Sequence, residues 1–322
     1  MPEAVPMKIA VMGAGGLGAY YGGMLARAGA EVHFIARGKH LEAMRREGLT
    51  VESPHVGDFH FSSLSATDSP ADLAAASGTM DVVLMGVKAY DLEEASQAIT
   101  PLVGANTFVL PLLNGVDAAE RIGAVLGMDR VVGGVVFMSA NVIAPGKIRH
   151  VLEAPIIFGE LSGGLSARCT ALESAFSNAG LRVKQSESIR RELWHKYVLV
   201  SPMAAVSSAA RLRTQAMVTR PDLRALYMEA AREVKAVARA SGVDVDEDCV
   251  EQALGHVDSV GPRHTVSMLL DLWAGKRLEL EAMVGAVVRL GAKHHVPTPV
   301  SQTLYHVLKP HENGPPEDLI QN

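Results

Sequence analysis

The sequence has only two cysteines in 322 residues, Cys169 and Cys249. They stand too far apart to match a metal-binding spacing, and two residues make no framework of disulfides. This cysteine content suits a reducing compartment, so we expect a cytoplasmic protein without a bound metal ion.

Blocks of like charge and long apolar runs are also absent from the sequence. Lys and Arg number 30 against 35 Asp and Glu, a formal net charge of −5, which argues against binding to nucleic acid or to an acidic membrane. No uninterrupted apolar run reaches the roughly 18 residues of a membrane span. Glycines break the apolar segment at residues 12–30, and Glu3 stands where a signal peptide is basic, so we expect no signal peptide.

The first half of the chain alternates short apolar strands with helices, and a length of 322 residues allows about two domains. We predict helices at residues 16–30, 39–47, 91–99 and 117–126, and strands at 8–12, 31–36, 81–87, 107–113, 131–139 and 156–158. Near-continuous apolar strands separated by helices are typical of a parallel sheet covered on both faces.

Helical periodicity replaces the strand signals after about Arg182. Helices are predicted at residues 221–241, 267–274 and 279–290, the first between Pro221 and Gly242, which suit a helix start and end. We therefore predict an α/β domain over residues 1–186 and an all-helical domain over 187–322, with a loosely ordered tail from Pro310.

A glycine-rich segment of the form G-x-G-x-x-G follows the first strand and opens the first helix. In that context the glycines permit a tight turn, a close approach to a pyrophosphate and close helix–strand packing. The segment indicates a Rossmann-type nucleotide site, and we expect contacts to the cofactor from Gly13, Gly15, Gly16, Leu17 and Gly18.

The end of the second strand indicates which nucleotide is bound. Sites for NAD usually carry an acidic residue there, which holds the ribose 2′-hydroxyl. This strand instead ends in Ala36-Arg37, with Lys39 close behind. A guanidinium and an ammonium suit a 2′-phosphate, so we expect NADP(H), with Arg37 in contact with that phosphate.

Several segments stand together in the order and spacing of one known family. They are Lys8-Ile9-Ala10-Val11-Met12 with the glycine segment, Phe34-Ile35-Ala36-Arg37-Gly38, Val87-Lys88-Ala89-Tyr90, Leu113-Asn114-Gly115-Val116, Gly133-Gly134-Val135-Val136, Ala144-Pro145-Gly146, Trp194-His195-Lys196, Ser267-Met268-Leu269-Leu270-Asp271, Gly275-Lys276-Arg277-Leu278-Glu279 and Val296-Pro297-Thr298-Pro299. With them the chain resembles the ketopantoate reductase (2-dehydropantoate 2-reductase) family over residues 7–310.

This resemblance implies transfer of a hydride from NADPH to the ketone of a 2-oxo acid, and it implies roles for particular residues. Lys196 matches the lysine that gives a proton to the carbonyl oxygen, and Glu279 matches a carboxylate beside the substrate. Asn114 and Ser267 match residues that hold nicotinamide or substrate, and Lys88 matches a lysine near the cofactor. An ammonium suits this reaction because it stabilises the negative charge that hydride transfer leaves on oxygen.

The sequence departs from the family where well-characterised members carry asparagines. Val200 and Ala204 stand four and eight residues after Lys196, Val284-Gly285 replaces an Asn-Gly pair, and His264 stands where some members have asparagine. Each lost hydrogen bond to a charged group is worth about 1.5–3 kcal/mol. The substrate therefore stays open between ketopantoate and a less polar oxo or hydroxy compound.

A second alternative is a non-catalytic NADP sensor, against which the retained Lys196 and Glu279 argue. The helical domain is large enough to pair as a homodimer, but one sequence shows no self-complementary surface. We expect a small-molecule 2-oxo acid as substrate, with no nucleic acid or membrane as partner.

Overall fold

A computed structural model describes residues 6–316, which fall into two compact units. Unit 1 comprises residues 6–114 and Ala118–Ile189, and unit 2 comprises Gly115–Asp117 and residues 190–316. Along the main run of the chain, unit 1 gives way to unit 2 after Ile189.

A five-stranded parallel sheet forms the centre of unit 1. Its strands lie in the order β5-β2-β1-β6-β7, and they are β1 (Lys8–Met12), β2 (Glu31–Ile35), β5 (Ser65–Thr67), β6 (Met80–Met85) and β7 (Val103–Pro111). The helices of this region are α1 (Gly16–Arg27), α2 (Gly38–Glu47), α3 (Pro70–Ser77), α4 (Leu92–Ala98) and α5 (Ala118–Leu126). Met12 pairs with Ile35 on one side and with Met85 on the other, so these three strands end side by side. The predicted Rossmann-type parallel sheet is confirmed.

Two smaller mixed sheets complete unit 1. The first has the order β4-β3-β10-β9 and the second β12-β11-β8. Their strands are β3 (Leu49–Glu52), β4 (Phe59–Phe61), β8 (Gly133–Val136), β9 (Ser139–Ala144), β10 (Lys147–Leu152), β11 (Ile156–Gly159) and β12 (Val183–Gln185), and α6 spans Ala167–Asn178. Helix α1 packs against β9, β10 and β3, so the first small sheet covers one side of the helix that follows the glycine segment.

Two predictions about strands in unit 1 were wrong. The single strand predicted at residues 131–139 is divided into β8 and β9, which belong to different sheets. A Cβ on Gly134 would lie 2.3 Å from the Pro111 carbonyl oxygen, so the chain passes β7 there at a distance that a side chain would prevent. Strand structure also continues past Arg182, since β12 pairs with β11. This strand has only three residues and lies at a sheet edge, where an apolar run is not required.

Unit 2 is built from helices, as predicted. They are α7 (Ile189–Ala210), α8 (Thr214–Val218), α9 (Pro221–Ala240), α10 (Cys249–Ser259), α11 (Ser267–Trp273), α12 (Ala286–Lys293) and α13 (Pro299–Leu308). A π-helical turn at Glu281–Gly285 leads directly into α12. Helix α7 is buried along most of residues 196–208, as expected for a helix whose faces are nearly all apolar.

The predicted loose tail from Pro310 is described only in part. Lys309–His311 forms a short 3₁₀ turn, and the Glu312 carbonyl accepts a hydrogen bond from the Leu278 N–H. Residues 317–322, like residues 1–5, lie outside the described part of the chain. Among the described helices, none has both the length and the apolar character needed to cross a membrane.

Candidate active site

The glycine segment forms a tight turn between β1 and α1. Gly13 has φ +92°, and a Cβ there would lie 2.8 Å from the backbone of Gly86, just beyond β6. A Cβ on Gly18 would lie 2.2 Å from the Gly13 carbonyl oxygen. Positive φ and close backbone approach both favour glycine, so these two positions set how closely the turn, the helix and the neighbouring strand pack.

Gly15 is different, because the space around it is open. It is the N-cap of α1, with φ −71°, and a Cβ there would have no atom within 4 Å. Within Gly16–Arg27, all of it described, no acidic side chain occupies the first turn, and no side chain caps the helix. Unbonded N–H groups and the positive end of the helix dipole together favour an anion. These residues fit the pyrophosphate of a dinucleotide.

The first small sheet closes one side of this turn. A Cβ on Gly16 would lie 1.9 Å from the Ala140 carbonyl oxygen of β9, and the half-buried Leu17 packs against the core of unit 1. Nδ1 of His40 accepts a hydrogen bond from the Gly146 N–H at 3.2 Å. Burial lowers the pKa of His40, while the nearby backbone of Ala14 raises it. His40 therefore joins α2 and the β9–β10 turn as a neutral ring beside the glycine segment.

Arg37 and Lys88 follow the carboxyl ends of β2 and β6, the two strands that flank β1. Arg37 is the N-cap of α2, and its side chain is 73% exposed. Its Nη2 donates a hydrogen bond of 2.7 Å to Oδ2 of Asp91, which follows β6. Lys88 is half-buried and begins the 3₁₀ turn Ala89–Asp91, in which the Asp91 N–H bonds to the Lys88 carbonyl.

In unit 2, the structure brings Lys196 and Glu279 into electrostatic contact. Lys196 is 8% exposed on α7, and Glu279 is 9% exposed just before the π-helical turn. Burial lowers the pKa of Lys196 from 10.5 to about 8, although the Glu279 carboxylate raises it. A buried lysine of this kind gives up its proton far more readily than a lysine in water.

Apolar side chains occupy other positions of α7 and of the π-helical turn. Ala204 and Val284 are buried and Val200 is half-buried, and Val200 lies one helical turn from Lys196 on the same face of α7. His264 is occupied elsewhere, since its Nδ1 is 2.9 Å from Oγ1 of Thr214, and burial lowers its pKa. Val200, Ala204 and Val284 therefore offer no hydrogen bond at positions where the family carries asparagines.

Asn114 and Ser267 are less buried than Lys196 and Glu279. Asn114 is half-buried just beyond β7, the sheet edge where ligands of parallel sheets collect. Ser267 is exposed and is the first residue of α11, one position after the N-cap Val266. The helix thus has no side-chain cap from Ser267, which leaves its hydroxyl at the start of an exposed helical face.

Three residues of these surroundings were not predicted from the sequence: His40, Asp91 and Tyr197. Asp91 directly follows the Val87-Lys88-Ala89-Tyr90 segment, so its place beyond a predicted parallel strand was a usable signal. Tyr197 directly follows Lys196. The partner of His40 lies in a hairpin more than 100 residues away, for which the sequence carries no signal.

Tyr197 holds the π-helical turn that follows Glu279. The single hydrogen of its buried hydroxyl is shared between the carbonyl oxygens of Ala282 and Met283, at 2.8 and 2.9 Å. The Ser201 hydroxyl donates to the Tyr197 oxygen. Burial raises the pKa of Tyr197, so the phenol keeps its proton. π-Helical turns recur at functional sites, and here the turn is fixed by the side chain adjacent to Lys196.

We expect Tyr197→Phe to lower the free energy of unfolding by about 1–3 kcal/mol, because two buried carbonyl groups lose a donor. Tyr227→Phe is the matched control, since Tyr227 is fully buried and its hydroxyl has no hydrogen-bond partner among the described residues. Urea unfolding of both variants measures the difference. Equal stability of the two variants would contradict a stabilising role of the Tyr197 hydroxyl.

The fold and these residues define a Rossmann-type α/β protein with a helical second unit that carries a buried lysine–carboxylate pair. The chain belongs to the ketopantoate reductase family. The family model described as "Ketopantoate reductase PanE/ApbA" matches residues 9–163, and its C-terminal model matches residues 188–312. The family is one of oxidoreductases.

Relatives match the chain along nearly its whole length. A 2-dehydropantoate 2-reductase of Mesorhizobium japonicum is 33% identical over 91% of this chain and 94% of its own. The crystal structure of 2-dehydropantoate 2-reductase from Geobacter metallireducens is 30% identical with a TM-score of 0.87, covering 94% of this chain and 99% of that one. A ternary structure of D-mandelate dehydrogenase with NADH and anilino(oxo)acetate is 24% identical with a TM-score of 0.86, covering 95% and 98%. That last likeness concerns the fold alone.

Proposed function

We propose that the protein reduces the ketone of a 2-oxo acid with NADPH, and that 2-dehydropantoate, reduced to pantoate as in pantothenate biosynthesis, is the first candidate substrate. The observation that carries the proposal is the burial of Lys196 beside Glu279, with its pKa lowered to about 8. Perturbed lysines of this kind cluster at functional sites. Membership of the family supplies the reaction class.

The cofactor residues would be those of unit 1. The glycine turn of Gly13, Gly15, Gly16, Leu17 and Gly18 would take the pyrophosphate, Arg37 the 2′-phosphate, and Lys88 and Asn114 would lie along the same sheet edge. When bound, the nicotinamide supplies the hydride. The open space at Gly15 supports this assignment, because a backbone without a side chain permits close contact with phosphate oxygens.

Lys196 would act as the acid of the reaction. Hydride arriving at the carbonyl carbon leaves negative charge on oxygen, and an ammonium stabilises that charge and then gives up a proton. With a pKa of about 8, Lys196 is mostly protonated at pH 7, and it donates more easily than a lysine with a pKa of about 10.4. Glu279 would keep the buried ammonium charged and would orient it.

Asn114 and Ser267 are proposed as residues that hold the nicotinamide or the substrate. Both carry side chains that can bond to a carboxylate or an amide. Neither the half-buried Asn114 nor the exposed Ser267 is sealed in the core, so a ligand can reach each of them.

A second candidate is an NADP-dependent oxidoreductase of the same family that acts on a less polar oxo or hydroxy compound. Val200, Ala204 and Val284 favour it, because apolar groups on the lysine-bearing helix and in the π-helical turn offer no hydrogen bond to a polar substrate. A hydroxyl or carboxylate placed against them would lose a partner worth about 1.5–3 kcal/mol.

The test is NADPH oxidation by the purified protein with ketopantoate, with small 2-oxo acids, and with bulkier apolar 2-oxo acids. Selective turnover of ketopantoate is the expected result. A kcat/KM at least about tenfold higher for an apolar oxo acid, a difference of about 1.4 kcal/mol, would support the second candidate. Tight NADPH binding without turnover of any carbonyl compound would overturn both and favour a sensor.

A further inference from the structure

We infer that Asp91 is a specificity-determining residue that makes the adenosine end of the cofactor site accept NADH as well as NADPH. The inference rests on the proposed function in one respect, namely that unit 1 binds a nicotinamide dinucleotide. It adds a residue from the far side of β1 to the positions that usually decide this preference.

The ion pair between Arg37 and Asp91 spans three strands of the parallel sheet. The order β2-β1-β6 places β1 in the middle, with Arg37 following β2 and Asp91 following β6. A bond of 2.7 Å between their side chains therefore crosses the carboxyl end of β1, where the glycine turn begins. That edge is where the ribose of a bound dinucleotide meets the residue at the end of the second strand.

Asp91 is held by a well-anchored turn. The Asp91 N–H bonds to the Lys88 carbonyl at 2.9 Å, and the Ala89 carbonyl accepts a bond of 2.7 Å from Arg121. The next residue, Leu92, is completely buried. Because the backbone on both sides is fixed, the Asp91 carboxylate stays at the carboxyl end of β6 whether or not Arg37 bonds to it.

The two ends of the ion pair favour different nucleotides. Arg37 attracts a 2′-phosphate, whereas the Asp91 carboxylate repels that phosphate and can accept a hydrogen bond from a 2′-hydroxyl. A hydroxyl bonded to an acidic residue is the usual arrangement for NAD. Here no acidic residue stands at the end of β2, where Ala36 and Arg37 follow the strand. The acid that would bond the 2′-hydroxyl is Asp91, which follows β6 on the other side of β1.

The pair is also easily exchanged. Side-chain exposure is 73% for Arg37 and 26% for Asp91, and ion pairs at such exposure contribute little to stability. A phosphate can therefore displace the carboxylate from the guanidinium at little cost. What remains is the repulsion between Asp91 and the phosphate, which weakens NADPH binding and lets NADH bind as well.

The test measures the Kd of NADPH and of NADH for the whole protein by fluorescence titration. Asp91→Asn is expected to tighten NADPH binding about three- to tenfold, because it removes the repulsion of the 2′-phosphate; tenfold corresponds to about 1.4 kcal/mol. It is expected to weaken NADH binding by a few fold, because an amide oxygen accepts a weaker hydrogen bond from the 2′-hydroxyl than a carboxylate does. The gain for NADPH should shrink as salt rises, because added salt screens the repulsion that the mutation removes. Arg37→Met should act in the opposite direction on NADPH.

Asp68→Asn is the matched control, since Asp68 pairs with Arg45 at 3.2 Å on the same unit and is exposed. It should leave both Kd values unchanged. Asp91→Ser is a second variant without the charge, in case Asp91→Asn folds poorly. A ratio of the two Kd values that stays within twofold of wild type in a folded Asp91 variant would overturn the inference.

The readout also separates this inference from the proposed reaction. Failure to turn over any oxo acid leaves the nucleotide titrations intact, so the assignment of Asp91 is still decided. A wild-type protein that binds neither nucleotide would overturn both the inference and the proposed function.

Discussion

Lys196→Met is expected to lower the kcat of carbonyl reduction by about 10²–10⁴, the usual contribution of a positioned general acid. Methionine keeps the apolar volume of the side chain and removes the ammonium that stabilises the developing charge. Because the proposed nucleotide contacts lie in unit 1, the Kd of NADPH should stay within about twofold of wild type. Steady-state kinetics and a binding titration on the same preparation measure both quantities.

The pH dependence of the wild-type reduction should identify the same group. The ammonium form is needed, so kcat should fall as pH rises through about 8, the lowered pKa of Lys196. Glu279→Gln removes the carboxylate that raises this pKa, so the midpoint should move to lower pH. A profile with no loss of activity between pH 7 and about 10 would contradict the role of Lys196.

Lys293→Met provides the control for the loss of a lysine in unit 2. Lys293 is the last residue of α12 and is exposed, so its removal should leave kcat and the pH profile unchanged. If Lys293→Met and Lys196→Met lower the activity equally, the effect comes from the net charge of the protein and not from an acid in the site.

Burial of the charged Lys196 lowers the stability of the folded chain, which supports a functional role for this lysine. Its pKa is about 8 in the folded chain and about 10.4 when unfolded, so the unfolded chain binds more protons between these values and stability rises with pH across that window. Below pH 8 the destabilisation by the buried ammonium is fully present. A structural lysine at the surface would carry no such cost.

Gly15→Ala is expected to weaken NADPH binding at least about tenfold without unfolding the protein, a loss of about 1.4 kcal/mol in binding free energy. The backbone at Gly15 has φ −71°, which alanine adopts freely, and its Cβ would meet no protein atom within 4 Å. The methyl group would instead occupy the space proposed for the pyrophosphate. Thermal unfolding should show a small change, while the NADPH titration shows a large one.

Gly13→Ala should have the opposite signature, a large loss of stability. Its φ of +92° costs about 1–2 kcal/mol for alanine, and the Cβ would lie 2.8 Å from the backbone of Gly86 and Val87. Gly29→Ala separates the two causes, because Gly29 has φ +94° with open space around it. For the variant at the open position, Gly15→Ala, NADPH binding as tight as in wild type would contradict the phosphate site proposed there.

The elements that the sequence predicted well share strong local signals. The predicted strands β1, β2, β6 and β7 each contain a run of three to five buried residues. The predicted helix α9 begins at a proline and buries one apolar face. The missed strands are β3, β4, β5, β10 and β12. They have three to six residues, and none of them has two buried residues in a row. Such strands form because an adjacent strand supplies hydrogen-bond partners for their backbone. Their own residues give little sign of this pairing.

The candidate site divides in the same way. The glycine segment could be recognised from the sequence because its chemistry depends on consecutive residues and on the missing Cβ atoms. The ion pair between Arg37 and Asp91 joins residues 54 positions apart, and the bond from Gly146 to His40 joins residues 106 apart. Residues so far apart in the sequence meet because the order of the strands brings them together. The sequence around each residue does not reveal that order.

The sequence by itself determined that this is a Rossmann-type α/β protein followed by helices, with a glycine-rich turn after the first strand and a basic residue after the second. Periodicity and glycine positions act over a few residues, so they can be read directly. Only the tertiary structure decided that Lys196 is buried with Glu279, that its pKa falls to about 8, and that Asp91 faces Arg37. Desolvation and charge pairing depend on atoms brought together from distant parts of the chain, and folding alone places them there.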